Sequence, residues 1–205
     1  MTHLIYIHDP MCSWCWAFRP VLEELLARLP NGMSYSRLLG GLAPDTDQPM
    51  PEELRNTLQA TWRRIQEKLP ETRFNFDFWT LNTPRRSTYP ACRAVIAARD
   101  LDAAKEEPMI LAIQQAYYLQ ARNPSDEETL IALAGEIGLD AIEFERTLQS
   151  QVAQQTLETE IAQATRLGVR SFPSLILQQD KSAWPVAVDY KAADNILNTI
   201  HDILD

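Results

Sequence analysis

Cysteine is scarce in this chain, three in 205 residues, too few for the crosslink framework that holds small secreted domains together. A four-ligand zinc site is short of donors as well: beyond Cys12 and Cys15 only Cys92 and the scattered His3, His8 and His201 remain. Basic residues are outnumbered, with 19 Lys plus Arg against 28 Asp plus Glu and a formal net charge of -9. That balance disfavours non-specific attraction to phosphate backbones and anionic lipid surfaces, so neither nucleic acid nor a membrane is expected as a partner. No apolar run approaches the ~18 residues of a transmembrane helix, and no internal repeat or low-complexity tract is visible. The first strand begins by Leu4, which leaves no room for a charged region, an apolar region and a cleavage site ahead of the thiols. The expected location is therefore cytoplasmic, where thiols are kept mostly reduced.

What the chain does have is 45% apolar residues, enough for a sizeable core, and the stretch Cys12-Ser13-Trp14-Cys15. The two thiols stand one turn apart just after the apolar segment Leu4-Ile5-Tyr6-Ile7. This order predicts a buried strand leading into a helix whose first turn carries both sulfurs. Unpaired N–H groups and the positive dipole end at a helix start favour the Cys12 thiolate. Cys12 is the expected nucleophile. Cys15, on the same side of the helix and deeper, is the expected resolving thiol.

Further along, Phe18, Leu22, Leu25, Leu26 and Leu29 fall at helical spacing before Pro30-Asn31-Gly32, and Ser34 to Leu39 reads as a strand. Helix follows helix from about residue 50, starting with Leu54, Leu58, Trp62, Ile65 and Leu69. Phe74, Phe76 and Phe78 are read as an aromatic loop packed on those helices. Further helices are expected from near Thr88 to Arg99 and from Glu107 to Ala121, with capping boxes at Ser125/Glu128 and Asp140/Glu143 and stops at Gly138 and Gly168. Val169 to Leu177 returns to strand character, the turn 178–182 precedes a partner strand over 183–188, and Pro185 puts that partner at a sheet edge. A helix over 190–204 closes the chain. Strand, helix, strand, helical block, hairpin, helix is the order of an α/β, thioredoxin-like fold with a large all-helical insertion. Neither outer piece can bury a sheet alone, so residues 1–45 and 168–205 are expected to form one discontinuous domain and 46–167 the insertion.

Asp9-Pro10-Met11-Cys12-Ser13-Trp14-Cys15-Trp16 resembles the active-site segment of the DsbA family, in its cytoplasmic FrnE-like branch of candidate thiol-disulfide isomerases. Gly40-Gly41-Leu42, Pro90-Ala91-Cys92-Arg93-Ala94, Gln114-Gln115-Ala116-Tyr117-Tyr118 and Gly168-Val169-Arg170-Ser171-Phe172-Pro173 are similar to the same branch, so the likeness covers most of the chain. It implies that Pro173 is a cis-proline facing the thiols, with the Phe172 backbone free to pair with an extended substrate. One departure stands inside the motif. Trp14 occupies the place of the His that helps depress the nucleophile's pKa in the periplasmic oxidases of the family, which argues against a strongly oxidising poise.

The expected activity is thiol-disulfide exchange, with or without isomerisation, on protein or small-molecule disulfides, needing no organic cofactor and no metal but an external thiol donor. Cys12 and Cys15 are the catalytic candidates; Ser13, Trp14, Phe172 and Pro173 are the substrate-binding candidates, with Trp14 expected to be exposed. Cys92, on an apolar helix face with Val95 and Ile96, reads as a small buried hydrophobe. His8 reads as a strand-end residue with a hydrogen-bonded ring, and Tyr117 and Tyr118 as packing or cleft residues. Two rivals remain open. Glutathione-dependent 2-hydroxychromene-2-carboxylate isomerases and kappa-class transferases share the inserted fold but carry a serine at the position of Cys12, and a binding module or chaperone would use a cleft and not the thiols.

Overall fold

The computed structural model describes residues 2–205. The apolar segment near the start forms strand β1 (Thr2–His8), whose side chains alternate between two buried faces. Leu4 and Tyr6 turn to one layer, Ile5 and Ile7 to the other. Full burial of such side chains stabilises by roughly 1.5–3 kcal/mol each, so β1 anchors both layers at once. Helix α1 (Ser13–Ala27) follows after a short loop and lays Phe18, Val21, Leu22 and Leu25 on the first face. Strand β2 (Ser34–Leu39) then pairs parallel to β1, with Ile7 opposite Leu38.

The chain next runs through helices α2 (Glu52–Lys68), α3 (Phe78–Leu81), α4 (Tyr89–Leu101), α5 (Glu106–Tyr118), α6 (Glu127–Glu136), α7 (Ala141–Leu148) and α8 (Gln151–Arg166). It ends in strands β3 (Ser174–Gln179) and β4 (Ser182–Val186) and helix α9 (Ala193–Leu204). The sheet order is β2-β1-β3-β4, with β3 antiparallel to both β1 and β4. Pro185 accordingly sits on an edge strand, where its missing donor costs no ladder bond. Helices α1 and α9 cover one face of the sheet, and the end of α8 covers the other through Ala164 packed with Ile5, Ile7, Leu38 and Ile176. The rest of the helical block has its own core, in which Trp62 stacks on Phe74 at 4.9 Å and meets Phe76, Phe78, Tyr117 and Tyr118. Among the described residues, no helix is long and apolar enough to cross a membrane.

Several local expectations are corrected. The strand expected from Val169 starts at Ser174, because the chain bends through Ser171–Pro173 first. Ser125 does not cap α6: its hydroxyl donates to the Ser87 carbonyl at 2.6 Å, and Asp126 takes the cap position. Asp140 does cap α7, accepting from the Glu143 N–H at 2.9 Å. The aromatic loop closes on the short helix α3, which sequence spacing did not indicate.

Candidate active site

The loop between β1 and α1 is built on one buried carboxylate. Asp9 Oδ1 accepts the Met11 N–H at 2.8 Å; Oδ2 accepts the Leu42 N–H at 2.7 Å and the Thr88 hydroxyl at 2.6 Å, with the Cys92 thiol at 3.5 Å. Three separate stretches of chain thus converge on Asp9, which tightens the turn and lets the Cys12 N–H reach the Asp9 carbonyl at 3.0 Å. Cys12 becomes the N-cap of α1 and Cys15 its third residue, so both sulfurs lie at the helix start. Burial pushes the Asp9 carboxyl upward against those hydrogen bonds. In the sequence Asp9 stands only as the first residue of the thiol segment and Thr88 only as a helix start; neither is assigned this role there, because Leu42 and Thr88 lie tens of residues from Asp9.

Both cysteines are free thiols, Cys12 7% exposed and Cys15 1%. Their acidities part in opposite directions. The Cys15 thiol donates to the Cys12 sulfur and holds it below the ordinary thiol range, outweighing burial, with the N–H groups of Cys15 and Trp14 adding to the effect. Burial pushes Cys15 well above that range, and the neighbouring Cys12 charge adds to it. The Asp9 charge works against the Cys12 thiolate. Cys92 is fully buried, spends its S–H on Asp9 and is pushed well up by burial first and the Asp9 charge second, the properties of a packed, unreactive thiol.

The loop before β3 meets this helix start. The Cys12 thiol donates to the Phe172 carbonyl at 3.5 Å, a long contact, and the Phe172–Pro173 peptide bond is cis. The Phe172 ring packs against Gly40, just past β2, where an added Cβ would come within 2.0 Å of it. The start of α1, which carries Cys12, Ser13, Trp14 and Cys15, therefore meets the Phe172–Pro173 loop through the Cys12 thiol. Ser13 opens α1 and is half-buried. Trp14 was expected to be exposed but is half-buried as well: its ring meets Tyr190 edge-on at 5.0 Å and takes the Arg64 guanidinium at 5.8 Å. Arg64 and Tyr190 belong to the thiol's surroundings and carried no signal in the sequence.

His8 requires a correction. Its ring was expected to be hydrogen-bonded, yet both ring nitrogens are buried without a protein partner, and the ring stacks on Tyr6 at 4.9 Å and 2°. Burial, and then the charges of Arg37 and Arg19, hold its pKa down to about 3. Tyr117 and Tyr118 are buried in the aromatic core. Among the described residues, no three His, Cys, Asp or Glu side chains gather as a metal ion would need.

The thioredoxin family model matches residues 5–194. A solved structure of a candidate protein disulfide isomerase from Nitrosomonas europaea superposes with a TM-score of 0.85 at 26% identity, covering 99% of this chain and 97% of that one. The cytosolic disulfide reductase DsbM from Pseudomonas aeruginosa superposes at 0.78 with 24% identity over 98% of each chain, and its structure with GSH at 0.77. Among curated proteins, the ClpXP adapter protein SpxH of Halalkalibacterium halodurans is 25% identical over 176 residues, 84% of this chain. The chain spans 57% of that relative's length. A match over nearly the whole chain, on a sheet and helix order of this type, identifies a member of the thioredoxin family with the fold of the DsbA-family oxidoreductases.

Proposed function

We propose that the protein catalyses thiol-disulfide exchange with Cys12 as nucleophile and Cys15 as resolving thiol. The observation that carries this is the placement of two free thiols at the start of one helix, Cys12 at the N-cap against the Phe172 carbonyl and Cys15 one turn deeper. The lowered pKa of Cys12 beside the raised one of Cys15 agrees with it. The Cys12 thiolate attacks one sulfur of a substrate disulfide, forming a mixed disulfide and expelling the other sulfur as a thiolate that takes up a proton. Cys15 then loses its proton and attacks Cys12 Sγ, releasing the second substrate thiol and leaving a Cys12–Cys15 disulfide. Two electrons pass from protein to substrate, and an external thiol donor restores the dithiol. In isomerisation a second substrate thiol attacks the mixed disulfide in place of Cys15.

The Phe172 backbone, the buried Pro173, Ser13 and the Trp14 ring form the substrate contact surface, and the helical segment 46–167 acts as an insertion that roofs it. A small thiol such as glutathione is a fitting donor, supported by the GSH bound to the similar DsbM; a cytoplasmic setting accords with that neighbour's description. Cys12 itself speaks against a glutathione transferase of the serine type. In a Cys15→Ala variant mixed disulfides should accumulate on Cys12 in cells, and Cys12→Ser should abolish them. Equal trapping by Cys12 and Cys15 variants would overturn the assignment.

The adapter function of the curated relatives supports a second reading, a protein-binding role independent of redox chemistry. A Cys12→Ser/Cys15→Ser double variant that retains partner binding would favour it.

A further inference from the structure

Resolution requires Cys15 to shed a proton where burial makes that hardest, and the surroundings show where the proton goes. A cavity of about 260 Å³ lies between α1, the β1/β2 side of the sheet and α5, and Tyr6, His8 and Cys15 all line it. The charges around it cancel: Arg19 pairs with Glu23 at 2.9 Å and with Glu107, and Arg37 pairs with Glu107 as well. Gln114 gives its oxygen to Arg19 at 3.0 Å. Among the described residues lining it, His8 has both ring nitrogens buried without a protein partner. With one donor and one acceptor in the neutral ring, it can take a proton on one nitrogen while giving one up from the other.

We propose that His8, stacked on Tyr6 beside Cys15, relays the Cys15 proton through this cavity to solvent as Cys15 attacks the mixed disulfide. The space suits a short chain of water molecules, each taking about 30 Å³ in the liquid, and the cavity opens beside the exposed Glu23 and the partly exposed Glu107. The Tyr6 hydroxyl is hydrogen-bonded to the Cys15 sulfur. Once the Cys12 sulfur is tied up in the mixed disulfide, the Cys15 proton moves by way of that hydroxyl and cavity water to one His8 nitrogen while the other nitrogen releases its own proton outward. No charge rests on the ring, as its low basicity demands. The sulfur electron pair freed on Cys15 forms the bond to Cys12 Sγ, and the expelled substrate thiolate is protonated from solvent. His8 is thus a proton-relay residue for the resolving step, on the functional reading given above.

The test separates the two thiols with one reagent, 5,5′-dithiobis(2-nitrobenzoate). Attack by Cys12 releases a first equivalent of thionitrobenzoate, and attack by Cys15 on the adduct releases the second. His8→Phe keeps a ring to stack on Tyr6 but has no nitrogen: the second release should slow about tenfold or more while the first is unchanged. His8→Gln, which restores a donor and an acceptor, should recover most of the rate. In the unaltered protein the second release should be slower in D2O and nearly flat between pH 6 and 8, whereas in His8→Phe it should climb steadily with pH. A His8→Phe second phase with the wild-type rate and pH profile overturns the relay, as does a His8→Gln variant as slow as His8→Phe, which would mark a packing role. If neither variant folds, a second release in the unaltered protein that is no slower in D2O overturns it. No two-phase release at all in the unaltered protein would instead overturn the assignment of the thiols.

Discussion

Removing the Asp9 carboxylate should unfasten the thiol loop by an amount set by its lost acceptors. In Asp9→Ala, the Met11 and Leu42 N–H groups both lose their side-chain acceptor. Each buried donor left unpaired costs about 1–3 kcal/mol, so a loss of about 2–6 kcal/mol is expected. Asp9→Asn should cost about half as much, about 1–3 kcal/mol. Its carbonyl oxygen still serves Met11, and Thr88 can turn its O–H toward the Ala43 carbonyl, 3.4 Å away, and accept from the new amide. Only the Leu42 N–H then faces a donor. Urea unfolding with an unchanged m-value would measure both losses. A second readout follows from charge: the Asp9 anion raises the Cys12 pKa, so in Asp9→Asn alkylation of Cys12 should persist to lower pH than in the wild type. An alanine variant that loses less than about 1 kcal/mol, or no more than the asparagine variant, would refute this count of acceptors. A rise in the Cys12 pKa in Asp9→Asn would refute the electrostatic part.

Alkylation rate against pH should show Cys12 titrating below a free thiol and Cys15 above it; equal reactivity would contradict the split in acidity. Equilibration with glutathione should place the reduction potential between about -270 mV and about -120 mV, because Trp14 contributes no charge beside the thiolate. Gly40→Ala should displace the Phe172 ring, since the new Cβ would fall 2.0 Å from it, and should cost about 1–3 kcal/mol and slow turnover; unaltered kinetics would mean the ring's seat is irrelevant to the loop. His8 is held near 3 when folded and returns to about 6.5 when unfolded. Unfolding therefore takes up a proton between those values, and stability should fall as pH drops from 6.5 toward 3, by up to about 1.4 kcal/mol per unit. His8→Phe should lack that component when urea midpoints are compared across the range.

The parts legible in the sequence are those whose causes are local. The apolar run Leu4–Ile7 and the spacing of Phe18, Leu22 and Leu25 dictate a strand and an amphipathic helix wherever they pack, so the thiols' position at the helix start follows from neighbours within a few residues. Pro185 announces its own edge position through a missing donor. What stayed hidden depends on distant groups. Asp9 is an ordinary polar residue until Leu42 and Thr88 arrive from 33 and 79 positions away. Ser125 has the spacing of a cap, but the Ser87 carbonyl competes for it and wins. The unpaired His8 ring could not be foreseen either, because local reasoning assumes that buried polar atoms find partners, and here the surrounding charges have paired with one another.

The convergence of residues 11, 42, 88 and 92 on Asp9 bears on when the protein becomes reactive during its own folding. The donors come from the turn itself, from the exit of β2 and from α4 inside the helical block, so contacts closing loops of widely different length must all be in place before the turn takes its final shape. A nascent or damaged chain in which the helical block has not docked still carries both thiols, but without the geometry that makes one of them acidic and shelters the other. The lowered pKa of Cys12 and the burial of Cys15 are therefore expected only late in assembly, and an incompletely folded copy is expected to present two ordinary, exposed thiols.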